Sequence, residues 1–458
     1  MELKGQRVLV VGLGKSGVAS ALFLQQRGAR VSVSDTKGPD QLREHIPMLL
    51  DRGVIVETGG HAQRTFLDQD LIVLSPGVPT NIPLLELARN QGIGVIGEVE
   101  LAARFLQGRV VAITGSNGKT TTTTLCGEIL KAAGFNTLVG GNIGTPVISL
   151  VEKSTPNTWN VLEVSSFQLE TIKEFRPDIS VVLNVTPDHL DRHGSMQAYV
   201  NAKARIFENQ KPTDFAVLNA DDETCRRLAD RLRSHSRWFS RLAEVKNGAL
   251  IKDDWILWRQ VDTGDREILP IAEVPLKGAH NLENVLAAVC VGSIAGVSPQ
   301  QIRSAVKGFR AVEHRLELVA TIAGVDFYND SKATNVDATA KALESFPGNI
   351  HIILGGKDKG SDYTALRDLL KSRAKRVYTV GAAAEKIESH VASAVPVVRA
   401  ETVENAVRLA AEAANSGDIV LLAPACASFD QFESYEHRGR VFKQTVLDLV
   451  RRSGASRG

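Results

Sequence analysis

Short runs of Val, Ile and Leu alternate with helical patterns from one end of the chain to the other. Most of these runs are apolar throughout, which is typical of strands that a parallel sheet covers on both faces. Because helical segments separate the runs, the pattern indicates βαβ units and predicts an α/β fold with doubly wound sheets. The predicted strands are residues 7–11, 30–33, 71–74, 110–114, 160–164, 179–185, 215–218, 349–354, 376–380 and 419–423.

The length predicts several domains rather than one. A chain of 458 residues corresponds to three domains at about 150 residues each. We place the boundaries near Gly94–Gly97 and residues 308–314, which divides the chain into residues 1–97, 98–311 and 312–458. The hairpin-like pattern of residues 237–273 indicates a small β excursion inside the central domain.

Charge and cysteine content limit the classes of protein. Lys and Arg number 54 and Asp and Glu number 52, so the net charge is +2 with neutral His. This balance excludes a nucleic-acid binder that relies on a large basic surface. No uninterrupted apolar run reaches about 18 residues, so we predict no membrane span. Four cysteines without CxxC spacing do not make a disulfide scaffold, and we expect a reducing, cytoplasmic location.

The segment VVAITGSNGKTTTTT, residues 110–124, carries the clearest chemistry. After an apolar strand, Gly115 and Gly118 let backbone N–H groups approach phosphate oxygens at the N-terminus of a helix. Lys119 supplies a charge for the distal phosphates, and Thr120 supplies a hydroxyl for Mg²⁺. The spacing is shorter than the full GxxxxGK[ST] motif, and a glycine-rich turn without a ligand is the alternative.

A second glycine-rich turn lies near the N-terminus. In VLVVGLGKSG, Gly12, Gly14 and Gly17 have the GxGxxG spacing, and Asp35 ends the next predicted strand. This pattern is typical of dinucleotide binding, which makes an NAD-dependent oxidoreductase the competing hypothesis. Because the motif specifies only a phosphate-accepting turn, a UDP-linked ligand satisfies it equally well.

Carboxylate and imidazole side chains follow the next predicted strands. Glu163 ends one strand, and His189 follows another in TPDHLD, at the edge where α/β sheets place their sites. His189 and His193 also have the spacing of a zinc pair, but the adjacent phosphate loop favours magnesium. Lys203 taken alone is an ordinary helical lysine.

Several motifs together resemble one family. TGSNGKTT, LEVSSFQLE, NVTPDHLDRH, KARIFE, GAHNLENVLAA, EHRLE, YNDSKATN and PACASFDQF occur in the order found in the ATP-dependent Mur ligases of peptidoglycan synthesis. The resemblance spans nearly the whole chain. It implies a Rossmann-like N-terminal domain for a UDP sugar, a central P-loop-type ATPase domain and a Rossmann-like C-terminal domain for an amino acid. A dehydrogenase would leave the Lys119 loop and DSKATN unexplained, although a non-catalytic nucleotide switch stays open.

The resemblance also implies ligands for individual residues. The residues matched to the UDP substrate are Gly14, Lys15, Ser16, Asp35, Thr36, Ser75, Pro76, Gly77, Asn142 and Gln168. Those matched to ATP are Gly115, Ser116, Asn117, Gly118, Lys119, Thr120, Thr121, Asn281, Asn284, Arg315 and Asp330. Those matched to D-glutamate are Thr334, Lys359, Ser428 and Tyr435, the last standing where the family often has Phe.

Within the family, the chain is more narrowly similar to the members that add D-glutamate to a UDP-N-acetylmuramoyl-L-alanine substrate. The DNPR-type signature of members that add a diamino acid is missing, and GGKDKGSD occupies its place. The implied reaction runs through an acyl phosphate and gives ADP and phosphate. The implied catalytic residues are Lys119, His189, Lys203 and Lys332.

Magnesium is the implied metal cofactor. Thr120 and Glu163 would hold one ion, and His189 with Lys203 a second. An ammonium group has no acceptor for a cation, so Lys203 would have to be carbamylated, as in the family. Small molecules are the expected partners, and we expect a monomer.

Overall fold

The structure, a computed structural model, describes residues 1–142, 144–310 and 312–455. Ala311, where the predicted central domain ends, lies outside the described residues, as do residues 456–458 at the end of the predicted third domain. The chain forms two compact units. One comprises Met1–Ile271 with Asn284–Lys307, and the other comprises Ala272–Glu283 with Gly308–Gly458.

The first unit begins with a five-stranded parallel sheet in the order β3-β2-β1-β4-β5. Its strands are β1 (Arg7–Val11), β2 (Arg30–Asp35), β3 (Ile55–Thr58), β4 (Leu71–Leu74) and β5 (Gly94–Gly97). The associated helices are α1 (Lys15–Gln26), α2 (Ile46–Leu50), α3 (Gln63–Leu67), α4 (Pro83–Asn90) and α5 (Glu98–Ala103). Both faces of β1 are buried, because Val8 and Val10 pack in one apolar cluster and Leu9 and Val11 in another.

A nine-stranded sheet follows in the order β14-β13-β12-β11-β10-β9-β6-β8-β7. Its strands are β6 (Arg109–Thr114), β7 (Thr137–Gly141), β8 (Trp159–Glu163), β9 (Ile179–Val182), β10 (Phe215–Asn219), β11 (His235–Ser240), β12 (Gly248–Lys252), β13 (Trp255–Gln260) and β14 (Gly264–Pro270). The associated helices are α6 (Lys119–Ala132), α7 (Ser166–Leu169), α8 (Leu190–His193), α9 (Met196–Ala204), α10 (Glu223–Leu228), α11 (Ala279–Ile294) and α12 (Pro299–Gly308). The predicted β excursion is confirmed as the antiparallel strands β12–β14, which extend the edge of this otherwise parallel sheet.

The second unit contains a six-stranded sheet in the order β15-β16-β20-β17-β18-β19, parallel except for the β15–β16 pair. Its strands are β15 (Glu317–Ile322), β16 (Val325–Asn329), β17 (Ile350–Gly355), β18 (Ala374–Val380), β19 (Val397–Glu401) and β20 (Ile419–Leu422). The helices are α13 (Val336–Glu344), α14 (Arg367–Arg373), α15 (Ala384–Val391), α16 (Val403–Ala413) and α17 (Tyr435–Ala455). As in the first sheet, alternate residues of β17 and β20 fill separate apolar clusters.

The α/β fold class predicted from the apolar runs is confirmed, and each predicted strand overlaps an observed one. Gly94–Gly97, near which the first domain boundary is predicted, forms β5, the edge strand of the first sheet, and the boundary itself stays a prediction. Short 3-10 segments complete the chain at Pro39–Leu42, Val147–Lys153, Arg205–Phe207, Ala229–Arg231, Ile271–Glu273 and Tyr363–Leu366. Among the described residues, no helix combines the length and apolar character needed to cross a membrane.

Two buried glutamates on α5 join the first sheet to the second. Glu100 is fully paired, because its carboxylate accepts the N–H groups of residues 173–175 and contacts Arg104. Glu98 accepts the Ile148 N–H at 2.7 Å through Oε1, while its buried Oε2 has no hydrogen-bond partner among the described residues. Burial raises the pKa of Glu98 to about 7.

The raised pKa of Glu98 predicts how the Glu98→Gln substitution changes the stability of the protein with pH. The folded protein retains a proton that the unfolded chain releases above about pH 4.5, so wild-type stability declines as the pH rises to about 7. The full cost of ionising Glu98 is on the order of 3 kcal/mol. Since glutamine does not ionise, we expect the Tm of Glu98→Gln, followed by circular dichroism, to lose this decline and to exceed the wild-type value at pH 8.

Glu100→Gln is the matched control, since it replaces a second buried carboxylate on the same helix. Its loss of charge weakens hydrogen bonds that the carboxylate makes to three N–H groups and to Arg104, so its Tm should fall at pH 8. A Glu98→Gln protein no more stable than wild type at pH 8 would contradict the assignment.

Candidate active site

The glycine-rich loop lies at the carboxyl end of β6, an interior strand of the nine-stranded sheet between β9 and β8. Gly118, with a φ of 84°, precedes the first residue of α6. A Cβ atom at Gly118 would clash with Oδ1 of Asn284, whose buried side chain also accepts the Thr122 hydroxyl at 3.2 Å. The Lys119 ammonium donates to the carbonyl oxygens of Gly115 and Ser116, both at 2.8 Å.

Glu163 meets this loop because β8 pairs directly with β6. The Thr120 hydroxyl donates to Glu163 Oε2 at 2.8 Å, and both side chains are buried. The Asn142 amide donates to Glu163 Oε1 at 2.9 Å, so this residue, predicted to contact the UDP substrate, lies beside the carboxylate. Two oxygen donors next to a phosphate loop are suited to a hard cation such as Mg²⁺.

Lys203 reaches the same loop from α9. Its ammonium donates to the Gly115 carbonyl at 2.8 Å and lies 4.5 Å from the centre of the Tyr199 ring. The side chain is buried, and Lys119 bonds the same carbonyl. Burial and the Lys119 charge lower the pKa of Lys203 well below its usual value, although Asp188 opposes the shift. The structure thus brings Lys203 to the phosphate loop, which its helical pattern alone does not predict.

His189 has a φ of 52° and lies directly before α8. Its Nε2 is 3.6 Å from Oδ2 of Asp188, and its ring packs edge-on against Phe167 at 5.0 Å. Asp188 is therefore an acidic group shared electrostatically by His189 and Lys203. Sequence reasoning missed it, although it stands inside the TPDHLD motif.

His193 is engaged by protein groups on both sides of its ring. Nδ1 lies 3.2 Å from Glu170 Oε1, Nε2 lies 3.0 Å from the Ser166 hydroxyl, and the ring stacks on Phe167 at 5.2 Å. One imidazole nitrogen donates while the other accepts, so the lone pair that a zinc ion would need is used by the Ser166 hydroxyl. These contacts disfavour the zinc-pair alternative.

Two polar side chains and one backbone carbonyl that sequence reasoning missed hold the loop in place. Asn184 accepts the Asn117 N–H at 2.9 Å, and the Tyr199 hydroxyl lies 3.0 Å from Ser116 Oγ. Ser116 Oγ in turn donates to the Thr186 carbonyl at 2.8 Å. The motif NVTPDHLD contains two of these partners, and its place after a buried strand is the signal for them.

The turns of the first sheet gather a second set of predicted residues at the carboxyl ends of adjacent strands β1, β2 and β4. Asp35 accepts the Leu13 N–H at 2.6 Å, and Ser75 donates to the Gly12 carbonyl at 2.7 Å. A Cβ atom at Gly17 would clash with the Gly12 carbonyl, so α1 approaches β1 closely only with glycine there. The remaining predicted residues of these turns are Gly14, Lys15, Ser16, Thr36, Pro76 and Gly77.

Gln168, also predicted to contact the UDP substrate, takes part in the N-terminal cap of a helix in the first unit. It is buried in α7, where its amide oxygen accepts the Ser165 N–H at 2.9 Å and the Ser165 hydroxyl caps the helix in return. The structure therefore places Gln168 and Asn142 on turns of the second sheet, whereas the other predicted UDP contacts lie on the first.

In the second unit, predicted residues follow β16, β17 and β20, which are neighbours in the sheet. The Lys332 ammonium lies 3.8 Å from the centre of the Tyr435 ring. Burial raises the pKa of Asp330 to about 7, although the charge of Arg315 opposes that shift. The other predicted residues on these loops are Thr334, Lys359 and Ser428.

A buried arginine of α17 ties these three loops together. Arg438 donates to the Ser331 and Cys426 carbonyls at 2.9 and 3.1 Å and to the Gly355 carbonyl at 3.4 Å. It is 1% exposed, and burial lowers its pKa to about 10. A guanidinium has five N–H donors in a fixed planar fork, so one side chain can donate to carbonyls of three loops. Sequence reasoning missed Arg438.

The two asparagines of α11 have different surroundings. Asn284 lies against Gly118 of the phosphate loop and accepts the Thr122 hydroxyl, as described above. Asn281 donates to the Lys277 carbonyl at 2.7 Å. The predicted adenine contact of these residues is not tested by these bonds and stays a prediction.

One group of carboxylate and imidazole atoms in the described residues is compact enough for a metal ion. Glu313, His314 and Glu317 lie within 4.8 Å of one another. The Lys443 ammonium already bonds both carboxylates, at 2.8 and 2.6 Å. The predicted metal ligands are not part of this group.

Comparison with known proteins matches three successive parts of the chain to described domain families. Residues 6–97 match the Mur ligase MurD-like N-terminal domain, residues 113–292 the Mur ligase middle domain, and residues 314–426 the Mur ligase glutamate ligase domain. UDP-N-acetylmuramoylalanine–D-glutamate ligase of Koribacter versatilis is 66% identical over 450 residues, covering 98% of this chain and 99% of that protein. The protein of the same name from Acidobacterium capsulatum is 61% identical over 448 residues, covering 98% and 97%.

The chain belongs to the Mur ligase family.

Solved Mur ligases share the fold at low sequence identity. The MurF ligase of Thermotoga maritima in complex with ADP matches with a TM-score of 0.60 at 18% identity, covering 98% of this chain and 96% of that one. The pseudomurein peptide ligase type C of Methanothermus fervidus matches with a TM-score of 0.60 at 20% identity, covering 96% and 100%. The three-part α/β architecture predicted from the motifs is therefore confirmed.

Membership of the Mur ligase family decides between the hypotheses left open by the glycine-rich turns. Mur ligases are ATP-dependent amide ligases, so ATP is the nucleotide of this family and the Lys119 loop is the candidate for binding it. An NAD-dependent oxidoreductase and a non-catalytic nucleotide switch are both set aside. The GxGxxG spacing of the first sheet belongs to a Mur ligase N-terminal domain instead.

The geometry of Gly118 makes a prediction for ATP binding. Gly118→Ala places a methyl group against Asn284 and strains a left-handed backbone, so the loop must move away from phosphate-binding geometry. We expect ATP to bind about tenfold more weakly or worse, as measured by isothermal titration calorimetry.

Gly134→Ala is the matched control at the other end of α6. Gly134 has nearly the same φ, 82°, but no atom lies within 4 Å of its added Cβ. This variant should therefore carry the backbone strain without the clash and should keep its ATP affinity. Equal affinities in the two variants would show that the Asn284 contact is unimportant.

Proposed function

We propose that the chain joins D-glutamate to UDP-N-acetylmuramoyl-L-alanine with ATP, releasing ADP and phosphate, as a step in peptidoglycan precursor synthesis. The observation that carries the proposal is the convergence of Lys119 and Lys203 on the Gly115 carbonyl, beside the Thr120–Glu163 pair. The name of the relatives that are 66% and 61% identical supports the choice of substrates.

The first chemical step transfers the γ-phosphoryl group of ATP to the alanine carboxylate. A carboxylate oxygen attacks phosphorus, the bond to the β-phosphate oxygen breaks, and an acyl phosphate and ADP result. Because two anions must approach each other, the step needs positive charge held in place before reaction. In our proposal Lys119 supplies this charge at the distal phosphates, and N–H groups of residues 115–121 hold the rest.

Mg²⁺ fits the donor set of the first unit. Thr120 and Glu163 offer buried oxygen atoms beside the phosphate loop, and we propose that they hold the nucleotide magnesium. A second ion would be held by His189 and by Lys203 in carbamylated form. When bound, magnesium neutralises phosphate charge and orients the transferring group. Asp188 interacts electrostatically with both proposed ligands, His189 and Lys203, and would help to balance a metal charge there.

The second step forms the amide bond. The D-glutamate amine attacks the carbonyl carbon of the acyl phosphate, and phosphate leaves from the tetrahedral intermediate. We propose that Thr334, Lys359, Ser428 and Tyr435 bind D-glutamate, whose two carboxylates need charged and neutral donors. Arg315, Asp330 and Lys332 are proposed to act on the nucleotide.

The ligands divide along the chain in the same proposal. Residues 1–97 bind the UDP part of the substrate, residues 98–311 bind ATP, and residues 312–458 bind the amino acid. Asn142 and Gln168 would contact the UDP substrate from the central part, and Asn281 and Asn284 would contact the adenine side. We further propose a cytoplasmic monomer with these small molecules as its partners.

The test of the function is phosphate release from ATP in the presence of UDP-N-acetylmuramoyl-L-alanine and a panel of amino acids. We expect release to depend on both the UDP substrate and D-glutamate, with L-glutamate and diamino acids inactive. Amino-acid-independent hydrolysis, or equal use of a diamino acid, would refute the proposal.

Lys203 provides a residue-level test. We expect Lys203→Ala to abolish ligation, because no oxygen ligand can form at that position, and short carboxylates such as formate should restore part of the activity. Lys131→Ala removes an exposed lysine of α6 that is paired with Glu128, and should leave kcat unchanged. Full activity in Lys203→Ala would rule out the proposed ligand role. A carbamate signal in ¹³C NMR of wild type supplied with labelled bicarbonate, and missing in the variant, would support it.

A further inference from the structure

The loops that carry Lys359 and Ser428 are joined through a buried tyrosine hydroxyl. Tyr363 is 0% exposed, and its hydroxyl donates to Asp358 Oδ1 at 2.8 Å. The same oxygen lies 3.0 Å from the Cys426 sulfur. Asp358 precedes Lys359, and Cys426 lies two residues before Ser428, so a single hydroxyl touches both loops next to the proposed D-glutamate ligands.

The direction of this hydrogen-bonded chain follows from the charges around it. Asp358 also accepts the Lys386 ammonium at 2.8 Å and the Ser361 N–H at 3.1 Å. Burial alone would raise the pKa of Asp358, but the bonds from Lys386, Tyr363 and Ser361 outweigh it and lower the pKa. An ionised carboxylate only accepts, so Tyr363 donates to it and is left to accept from the Cys426 thiol. Burial raises the pKa of this thiol to about 11, which keeps its proton in place.

The backbone joins the same two loops more loosely. Lys357 and Ala427 form an isolated antiparallel bridge, with the Lys357 N–H donating to the Ala427 carbonyl at 2.8 Å. Arg438 also bonds the Gly355 and Cys426 carbonyls, so the bridge and Arg438 together hold these loops by their backbones. The Tyr363 hydroxyl adds an attachment through side chains on the Lys359 side of the bridge, where it restricts the orientation of the Lys359 loop.

We propose that Tyr363 is a positioning residue for D-glutamate, which fixes the Lys359 loop against the Ser428 loop so that both side chains meet the amino-acid carboxylates. The inference rests on the proposed function for the identity of the ligand. Tyr363 itself is buried and touches neither substrate nor nucleotide in this role. Its hydroxyl acts through Asp358 on one loop and through Cys426 on the other.

Tyr363→Phe removes the hydroxyl and keeps the ring, which makes it the variant to measure. We expect KM for D-glutamate to rise about fivefold or more, as for the loss of one net hydrogen bond, while kcat and the KM values for ATP and the UDP substrate change less than about twofold. Cys426→Ser retains a donor to the tyrosine oxygen and should keep a KM near that of wild type. Cys426→Ala lacks the donor and should raise KM.

Tyr378→Phe is the matched control. Tyr378, on β18 of the six-stranded sheet, is buried like Tyr363, and its hydroxyl lies 3.2 Å from His351 Nδ1. It should lose a comparable amount of stability without changing KM for D-glutamate. A KM for D-glutamate in Tyr363→Phe within twofold of wild type, or an equal rise in all three KM values, would overturn the inference.

Hydrogen–deuterium exchange of the ligand-free chain gives a readout that does not require catalysis. Tyr363→Phe should speed exchange in peptides covering residues 357–361 and 426–429, and Tyr378→Phe should not. Unchanged exchange in these peptides would overturn the inference. Wild-type phosphate release that ignores D-glutamate would instead refute the proposed function, and exchange would still decide whether Tyr363 holds the Lys359 loop.

Discussion

Two lysine ammonium groups donate to one carbonyl oxygen, that of Gly115, and the organisation of the central site depends on this contact. Two positive charges that share one oxygen atom repel each other. The arrangement persists only because Lys119 and Lys203 stand on different helices, α6 and α9, which are anchored independently. Lys119 is the first residue of α6, which follows β6, the strand paired with the strand that ends at Glu163. Lys203 is buried, and its ammonium lies over the Tyr199 ring. The fold therefore concentrates positive potential where phosphate oxygens are expected. Burial and the nearby Lys119 charge lower the pKa of Lys203 well below its usual value.

This local arrangement explains how a chain with a net charge of +2 belongs to a family whose substrates are anions. Overall charge governs long-range attraction of polyanions, whereas small phosphorylated ligands respond to donors within a few ångströms. Lys119 at the loop and Lys332 over the Tyr435 ring are the local positive groups proposed for this role. A balanced composition thus argues against nucleic acids and says little about nucleotides.

The sequence predicts the fold well where one physical signal dominates. Strands buried on both faces appear as continuous apolar runs, so every predicted strand overlaps an observed one, and the phosphate loop follows from its glycines. The strand β5 (Gly94–Gly97) was not predicted, because a four-residue edge strand with glycine at both ends has the composition of a linker. Asp188, Tyr199 and Arg438 were missed for a different reason. Each acts on a residue distant in sequence, and a lone polar residue in a helix or loop has no local pattern that distinguishes burial from exposure.

Buried polar groups such as Arg438 and Glu100 have a physical role that hydrophobic packing cannot perform. Apolar contacts are non-directional, so they hold sheets together without specifying where a loop ends. Glu100 bonding three N–H groups and Arg438 bonding carbonyls of three loops are directional. Each is costly to bury and more costly to remove, because its partners would be left unsatisfied. A buried polar group of this kind therefore adds little net stability but strongly disfavours alternative loop positions, which is what a site assembled from several loops requires.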